Sequence, residues 1–433
     1  MRPGSLNILR KGEKSALPAL QGAAFGGIPV IHASPQSRGK AAFSSPLTTH
    51  EDIGMTATLR QQVTRTTATR WSALPVEISV AECGDGRDPH ELAVLQCAAG
   101  RLAELFGARR VAAAAPLPPC GRYWIPSSTL LRPEASALGV SDGSQLWGGI
   151  VPAAWVATKL VSHPRRGRRA AAPKGWIDII GLEDCTLPGW SVFCRDDALA
   201  AGLELLRGGA VRLKHPQERG GQGQRVVRSG EELGNWLDAA SPQSLQQGLV
   251  LERDLAESTT FSVGFSTLPG GHRIAYVGTQ RNLITPQGVA GYGGSRLEVV
   301  RGGFAELEAT QRPGKARTAV QAASRYDAVI RHAYGVVASR CNYDVIAGVD
   351  RLGRRHHGVL EQSWRFGGAS MAELLAIERF TLLPGLQRVV AETVESFAGE
   401  RVPAGAVMTW RGDARSPCKY ARIVEEESAG LAA

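Results

Sequence analysis

The sequence predicts a layered chain of mixed α+β and α/β character. Three observations carry this: a β-α-β pattern beginning near Val76, short strands alternating with helices beyond Gln224, and the strand-turn-strand segment NYDVIAG/DRLGRR/HHGVLEQSW. At 433 residues the chain exceeds what one core supports, so two or three domains are expected.

Residues 1–75 mix Gly, Pro, Ser, Thr and Arg without sustained periodicity and read as a mostly disordered basic extension. They carry nine Lys or Arg against Glu13, Glu51 and Asp52, which is +6 of the formal net charge of +10. The remainder is too weakly basic for a dedicated nucleic-acid binder, and no nucleic-acid partner is expected. VEISVAEC then reads as a strand. HELAVLQCAAGRLAELF sets Leu92, Leu95, Leu102, Leu105 and Phe106 on one helical face, and RVAAAA reads as a second strand. Residues 76–153 are therefore expected to form a small α/β domain with a parallel sheet.

Residues 123–155 look loop-rich, a helix is expected over 154–161, and the basic loop HPRRGRR reads as a solvated connection. DDALAAGLELLRGG is an amphipathic helix stopped at Gly208, and VRLK is a short strand. QRVV, GLVLE, TTFSVGFS and RIAYVGT read as strands, whereas GEELGNWLDAA and residues 316–334 read as helices. Residues 282–297 are rich in Gly and read as a mobile substrate loop. The expected division is completed by lobes at 154–247 and 248–425 and a tail at 426–433.

Seven cysteines are scattered singly, with no CxxC pair, the pattern of a reducing cytosol. No apolar run approaches the length of about 18 residues that a spanning helix needs, and no secretory signal is evident. A cytoplasmic location without a membrane partner is expected.

The hairpin carries the sharpest chemistry. Gly353 sits in its turn, and pairing about positions 352 and 353 puts Asp344 opposite Glu361. Like charges facing across a strand pair destabilise it, and one protonates unless a cation separates them. Ser363 and Arg365 follow Glu361 at a period of two and share its face. Oxygen ligands of this kind suit magnesium, completed by substrate phosphates. VRLKHPQERGGQGQ delivers Arg212 and Lys214 to one face and is followed by Gly220, Gly221 and Gly223, whose backbone N–H groups can cradle phosphate. The strand GLVLE ends in Glu252, and the turn to Leu255 offers backbone groups to a planar base. Gln280 and Arg281 are candidate phosphate or substrate contacts. GVSDG matches G-x-S-x-G, with His163 and Asp178 as notional partners for Ser141, but a loop precedes it where a nucleophile elbow needs a strand.

In order, Lys159, VRLKHPQERGGQGQ, VLERDL, TTFSVGF and VLEQSWRFGG resemble the successive nucleotide-binding elements of ATP-grasp ligases, over residues 76–372. YWIPSSTLL, LWGGIVPAAWVATK, YVGTQR and GVLEQSWRFGGAS are more closely similar to an uncharacterised bacterial family, a domain of unknown function with ATP-grasp-like members. The resemblance implies two α+β lobes sandwiching ATP behind a pre-ATP-grasp domain. Lys159 and Lys214 would hold phosphates under a loop at Gly220, Gly221 and Gly223. Glu252 and Leu255 would line the adenine, and Asp344, Glu361 and Ser363 would ligate Mg2+ or Mn2+. Arg365 and Arg281 would serve the transferred phosphoryl group and the substrate. Two departures stand out. Ser363 replaces the Asn of an E-x-N-x-R motif, and Thr260 stands where many relatives place a ribose-binding Glu, for which Glu257 could substitute.

The implied activity is an ADP-forming ligase that activates a small-molecule or peptide carboxylate as an acylphosphate for attack by an amine or thiol. A small-molecule kinase and a non-catalytic nucleotide-binding scaffold are the alternatives. Substrate identity and oligomeric state, a homodimer included, stay open.

Overall fold

The computed structural model describes residues 74–428 apart from 84–87, 119–120, 168, 218–222, 285–287, 289, 398–401 and 413–415. The amino-terminal extension up to residue 73, Gly220, Gly221 and the last five residues of the tail lie outside the described residues.

β1 (Glu77–Ala81) is buried throughout, and α1 (Pro89–Phe106) starts on a proline that needs no helical N–H donor partner. β2 (Arg109–Arg110) and β3 (Tyr123–Pro126) both pair with β1 in parallel, in the order β2-β1-β3. The strand expected at RVAAAA is present only as β2, which overlaps it at Arg110, and the residues after it are not in a strand. The stretch read as loop holds β4 (Leu130–Leu131), α2 (Arg132–Ala137) and β5 (Gly149–Val151). Residues 154–161 form two 3₁₀ turns, Ala154–Ala157 and Lys159–Ser162. Thr158 separates them, its side chain accepting from the Leu160 N–H. That cap closes a new turn and prevents one continuous helix.

Next come β6 (Gly189–Val192), α3 (Arg195–Leu206), β7 (Val211–Lys214), β8 (Arg225–Val227), α4 (Gly230–Ala239), α5 (Pro242–Gln247) and β9 (Leu249–Arg253). Their strands form an antiparallel sheet in the order β6-β9-β7-β8. Leu205, Leu213, Leu233, Leu237 and Leu251 make the core beneath it.

The remaining elements are β10 (Ala256–Leu268), β11 (His272–Ile284), β12 (Ala290–Arg301), α6 (Phe304–Thr310), α7 (Lys315–Tyr334), β13 (Val337–Ala338), β14 (Arg340–Val349), β15 (Arg355–Ser363), α8 (Ser370–Leu382), β16 (Leu386–Ser396), β17 (Val407–Trp410) and β18 (Cys418–Ser428). Eight of these strands form one antiparallel sheet in the order β15-β14-β10-β11-β12-β16-β18-β17. Of residues 282–297, read as a mobile loop, Asn282–Ile284 instead continue β11 and Ala290–Leu297 build most of β12, while 285–287 and 289 lie outside the described residues. Gly294 sits there because a Cβ would lie 2.1 Å from the Thr393 carbonyl oxygen, so only glycine lets the neighbouring strand approach.

Strand alternation divides the large sheet cleanly. Val263, Phe265, Val277, Tyr343 and Val345 face α7, with Tyr326 and Ile330 opposite them. Tyr276, Leu297, Val299 and Ala391 face α8 and α1 on the other side. The mixed α+β class read from the sequence is the class observed.

Candidate functional site

The hairpin of β14 and β15 turns at Gly353, whose φ of 73° suits glycine. Asp344 pairs with Glu361, the expected pair, but the register nearer the turn, Val349 with Arg355 and Val345 with Val359, would by itself have set Asp344 opposite Leu360. Leu360 is therefore an extra, bulged residue. It moves the register by one between the turn and the carboxylates, and such a bulge re-aims side chains. Asp344 Oδ1 accepts from Gln280 Nε2 at 2.8 Å and from Asn342 Nδ2 at 3.0 Å. Burial and the charge of Glu361 nevertheless push the Asp344 carboxyl up to about 6.

A buried lysine meets this pair. Lys159 is 4% exposed, and its Nζ lies 3.1 Å from Glu361 Oε2. Its turn is held at the sheet edge by Gln362, whose amide donates to the carbonyls of Val156 and Thr158. Four residues on, His163 Nε2 lies 3.0 Å from Glu252 Oε2, and the other oxygen of Glu252 is 2.5 Å from Lys214 Nζ. One short segment thus ties two charge clusters together, Lys159–Glu361 and His163–Glu252–Lys214. Burial pushes Glu252 up, but Lys214 and His163 outweigh it and hold the carboxyl down at about 2.

Beside the carboxylates lies a cavity of about 570 Å³. Asp344, Glu361, Ser363 and Arg365 line one end. A polar row crosses the sheet from there through Ser262, Gln280, Ser295 and Thr393 to Glu395 and Lys419, which are ion-paired at 2.7 Å. The cavity lies where the layer of α8 and α1 ends, and Met371 and Val94 wall it on that side.

Among the described residues no group of three or more His, Cys, Asp or Glu could hold a metal by itself. The chemistry of the site still fits magnesium. Two carboxylates face each other and one is forced toward protonation, and Mg2+ takes one or two carboxylates while leaving positions for phosphate.

A family model described as a protein of unknown function (DUF3182) matches residues 79–423. The chain belongs to this family. Among curated proteins no sequence matches it. Solved structures similar to it include the biotin carboxylase domain of Hydrogenobacter thermophilus 2-oxoglutarate carboxylase, at 11% identity over 81% of this chain and 87% of that one, with a TM-score of 0.48. N5-carboxyaminoimidazole synthetase from Staphylococcus aureus matches at 11% identity, 81% and 93% coverage and a TM-score of 0.43. D-alanine–D-alanine ligase from Bacillus anthracis matches at 13% identity, 72% and 98% coverage and a TM-score of 0.41. These are proteins of the ATP-grasp fold.

In this DUF3182 chain the other expected site residues fall in several places. Leu255 is buried in the turn between β9 and β10, against Gly348 of the hairpin. Glu257 follows it, exposed, with a φ of 46° that is unusual for a residue with a side chain. Arg281 is exposed and alternates with Gln280 and Asn282, the two residues of that strand that line the cavity. Gly223 has a φ of 64° just before β8. Arg212 shares a strand face with Lys214 but pairs with Asp254 at 2.6 Å. His163, Ser262, Asn342, Tyr292, Glu395 and Lys419 were not read as site residues. Asn342 and Ser262 were within reach of parity, since Asn342 stands two residues before Asp344 and Ser262 pairs with it across the strands.

Asp344 makes stability depend on pH in a defined sense. Its folded value, about 6, lies above its ordinary 3.8, so between these values the folded state binds more protons than the unfolded one. The contribution of Asp344 should therefore be lost as pH rises from about 4 to 6 in protein held in chelator. Melting temperatures across this range, with chelator, check it. A flat metal-free profile would contradict the assignment.

Proposed function

We propose that this chain is an ATP- and Mg2+-dependent ligase of the ATP-grasp type, forming ADP and activating a carboxylate for attack by an amine or thiol. The observation that carries the reading is Asp344 facing Glu361, with buried Lys159 on Glu361, at one end of a cavity large enough for a small substrate. Asp344 and Glu361 would hold magnesium, with Ser363 as a weaker third ligand, and the metal when bound would neutralise phosphate charge.

The protein's part is positioning and charge. Lys159 can turn from Glu361 to a phosphate oxygen, and Lys214 with the loop at Gly220, Gly221 and Gly223 would hold the remaining phosphates. Glu252 and Leu255 would border the base and Glu257 the ribose. A substrate carboxylate oxygen would attack the γ-phosphorus as the bond to the bridging oxygen breaks and ADP leaves. Arg365 lines the cavity at that end and would stabilise the transferred group. Amine or thiol attack on the acylphosphate then expels phosphate, and the nucleophile's proton is lost. The substrates would lie toward Tyr292, Thr393, Glu395 and Lys419. A non-catalytic nucleotide binder is favoured by one observation, the hydroxyl of Ser363 in place of a better metal ligand.

The test is thermal stabilisation by ATP with and without magnesium, then ADP release against pools of carboxylates and amines. ATP at a hundredfold excess over Kd should stabilise the protein by about 2.7 kcal/mol. Magnesium-dependent stabilisation with ADP release supports the ligase. Stabilisation without release supports the binder, and neither effect refutes both.

A further inference from the structure

A buried ion pair sits beneath the site. Arg340, at the start of β14, is 1% exposed, and Glu373 on α8 is fully buried. Arg340 Nη2 lies 2.6 Å from Glu373 Oε1. Tyr276 Oη is 3.0 Å from the same oxygen, and Ser266 Oγ donates to the other at 2.9 Å, itself receiving Trp147 Nε1 at 2.9 Å. Two charges taken from water into a core seldom stabilise a fold more than apolar residues of the same volume would. Where the pair reaches is more informative than its strength.

It reaches both sides of the carboxylates. Arg340 Nη1 donates to the Arg365 carbonyl and, at 3.5 Å, to that of Ser363. β15 ends at Ser363, so the ladder no longer sets the path of the chain that carries Arg365. On the other side, the single Tyr276 hydroxyl proton is shared between Glu373 Oε1 and Asn342 Oδ1, the latter at 3.1 Å, and Asn342 Nδ2 donates to Asp344 Oδ1 at 3.0 Å. We propose that Arg340, Glu373 and Tyr276 form a positioning network that fixes Asp344 on one side and the backbone of residues 363–365 on the other. As a role in turnover this rests on the ligase reading; as geometry it does not.

Two variants separate positioning from mere support. Arg340→Met combined with Glu373→Leu removes both charges and keeps the volume filled, and Tyr276→Phe removes one hydroxyl. The double variant should melt close to the unsubstituted protein, keep its KM for MgATP within about threefold, and lose about 100-fold in kcat for ADP release. Tyr276→Phe should lose about tenfold in kcat, again with little change in KM. Amide hydrogen exchange over residues 364–368 should quicken about tenfold in the double variant without global loosening. Full kcat with unchanged exchange overturns the proposal, and if the double variant does not fold, Tyr276→Phe decides by the same kcat and KM criterion. If the unsubstituted protein neither binds MgATP nor releases ADP, the ligase reading fails instead, and the exchange measurement alone supports or overturns the network.

Discussion

Asp344→Asn should abolish magnesium-dependent ADP release while leaving the metal-free protein at least as stable as before. Under the proposed metal assignment the loss should be about 10³-fold, roughly 4 kcal/mol of barrier, because one of two facing carboxylates would no longer contribute charge to the metal. Stability moves the other way. At neutral pH the Asp344 carboxylate is held ionised against burial and the charge of Glu361, which is why it titrates near 6. Removing its charge relieves on the order of 1–2 kcal/mol once solvent access to this half-buried group is allowed for. Glu361→Gln should lose turnover to the same extent but cost stability, since it breaks the ion pair with Lys159. Turnover assays and calorimetric melting on both variants check the two signs together. Unchanged turnover in both would remove the metal assignment, and equal destabilisation in both would remove the argument from facing charges.

The carboxylates were legible because a hairpin leaves little freedom. With a turn at Gly353 and a side-chain period of two, Asp344 and Glu361 can only face each other or face apart. The bulge at Leu360 was not legible, since nothing local distinguishes an extra Leu in an apolar strand from a paired one. The strands β16 and β18 were invisible for a different reason. Their half-buried positions carry Glu392, Glu395, Lys419 and Arg422, which look like loop polarity in sequence but are cross-strand ion pairs, Arg422 with Glu392 at 2.6 Å and Lys419 with Glu395 at 2.7 Å. The loop reading failed over Ala290–Leu297 on glycine, which signals mobility in isolation and close strand approach in a sheet. The helix expected over 154–161 failed on Thr158, a cap that also looks like an ordinary helical threonine.

His163 shows where reading one residue at a time stops. In the sequence it was a spare histidine with a decoy serine. In the fold it shares a segment with Lys159 and closes the cluster around Glu252, a pairing set by two sheets that no local pattern relates.

That cluster yields the second large effect, in which Lys214→Met should weaken ATP binding by about 100-fold, roughly 2.7 kcal/mol. The same change should destabilise the protein by about 3–5 kcal/mol, because Glu252 is 1% exposed and loses its charged partner, keeping only the His163 hydrogen bond. The two consequences separate by pH. In the unsubstituted protein Glu252 is held at about 2 against an ordinary 4.5, so its contribution is full above 4.5 and disappears as pH falls toward 2. Without Lys214, burial dominates and the carboxyl titrates upward, so acidification should restore part of the lost stability. Lys214→Arg keeps the charge and should keep most of the stability while still weakening ATP binding, since a planar fork does not replace a compact ammonium. Isothermal titration with ATP and melting between about pH 3 and 7 distinguish these terms. Unchanged ATP affinity in a folded Lys214→Met protein would show that Lys214 serves Glu252 and not the nucleotide.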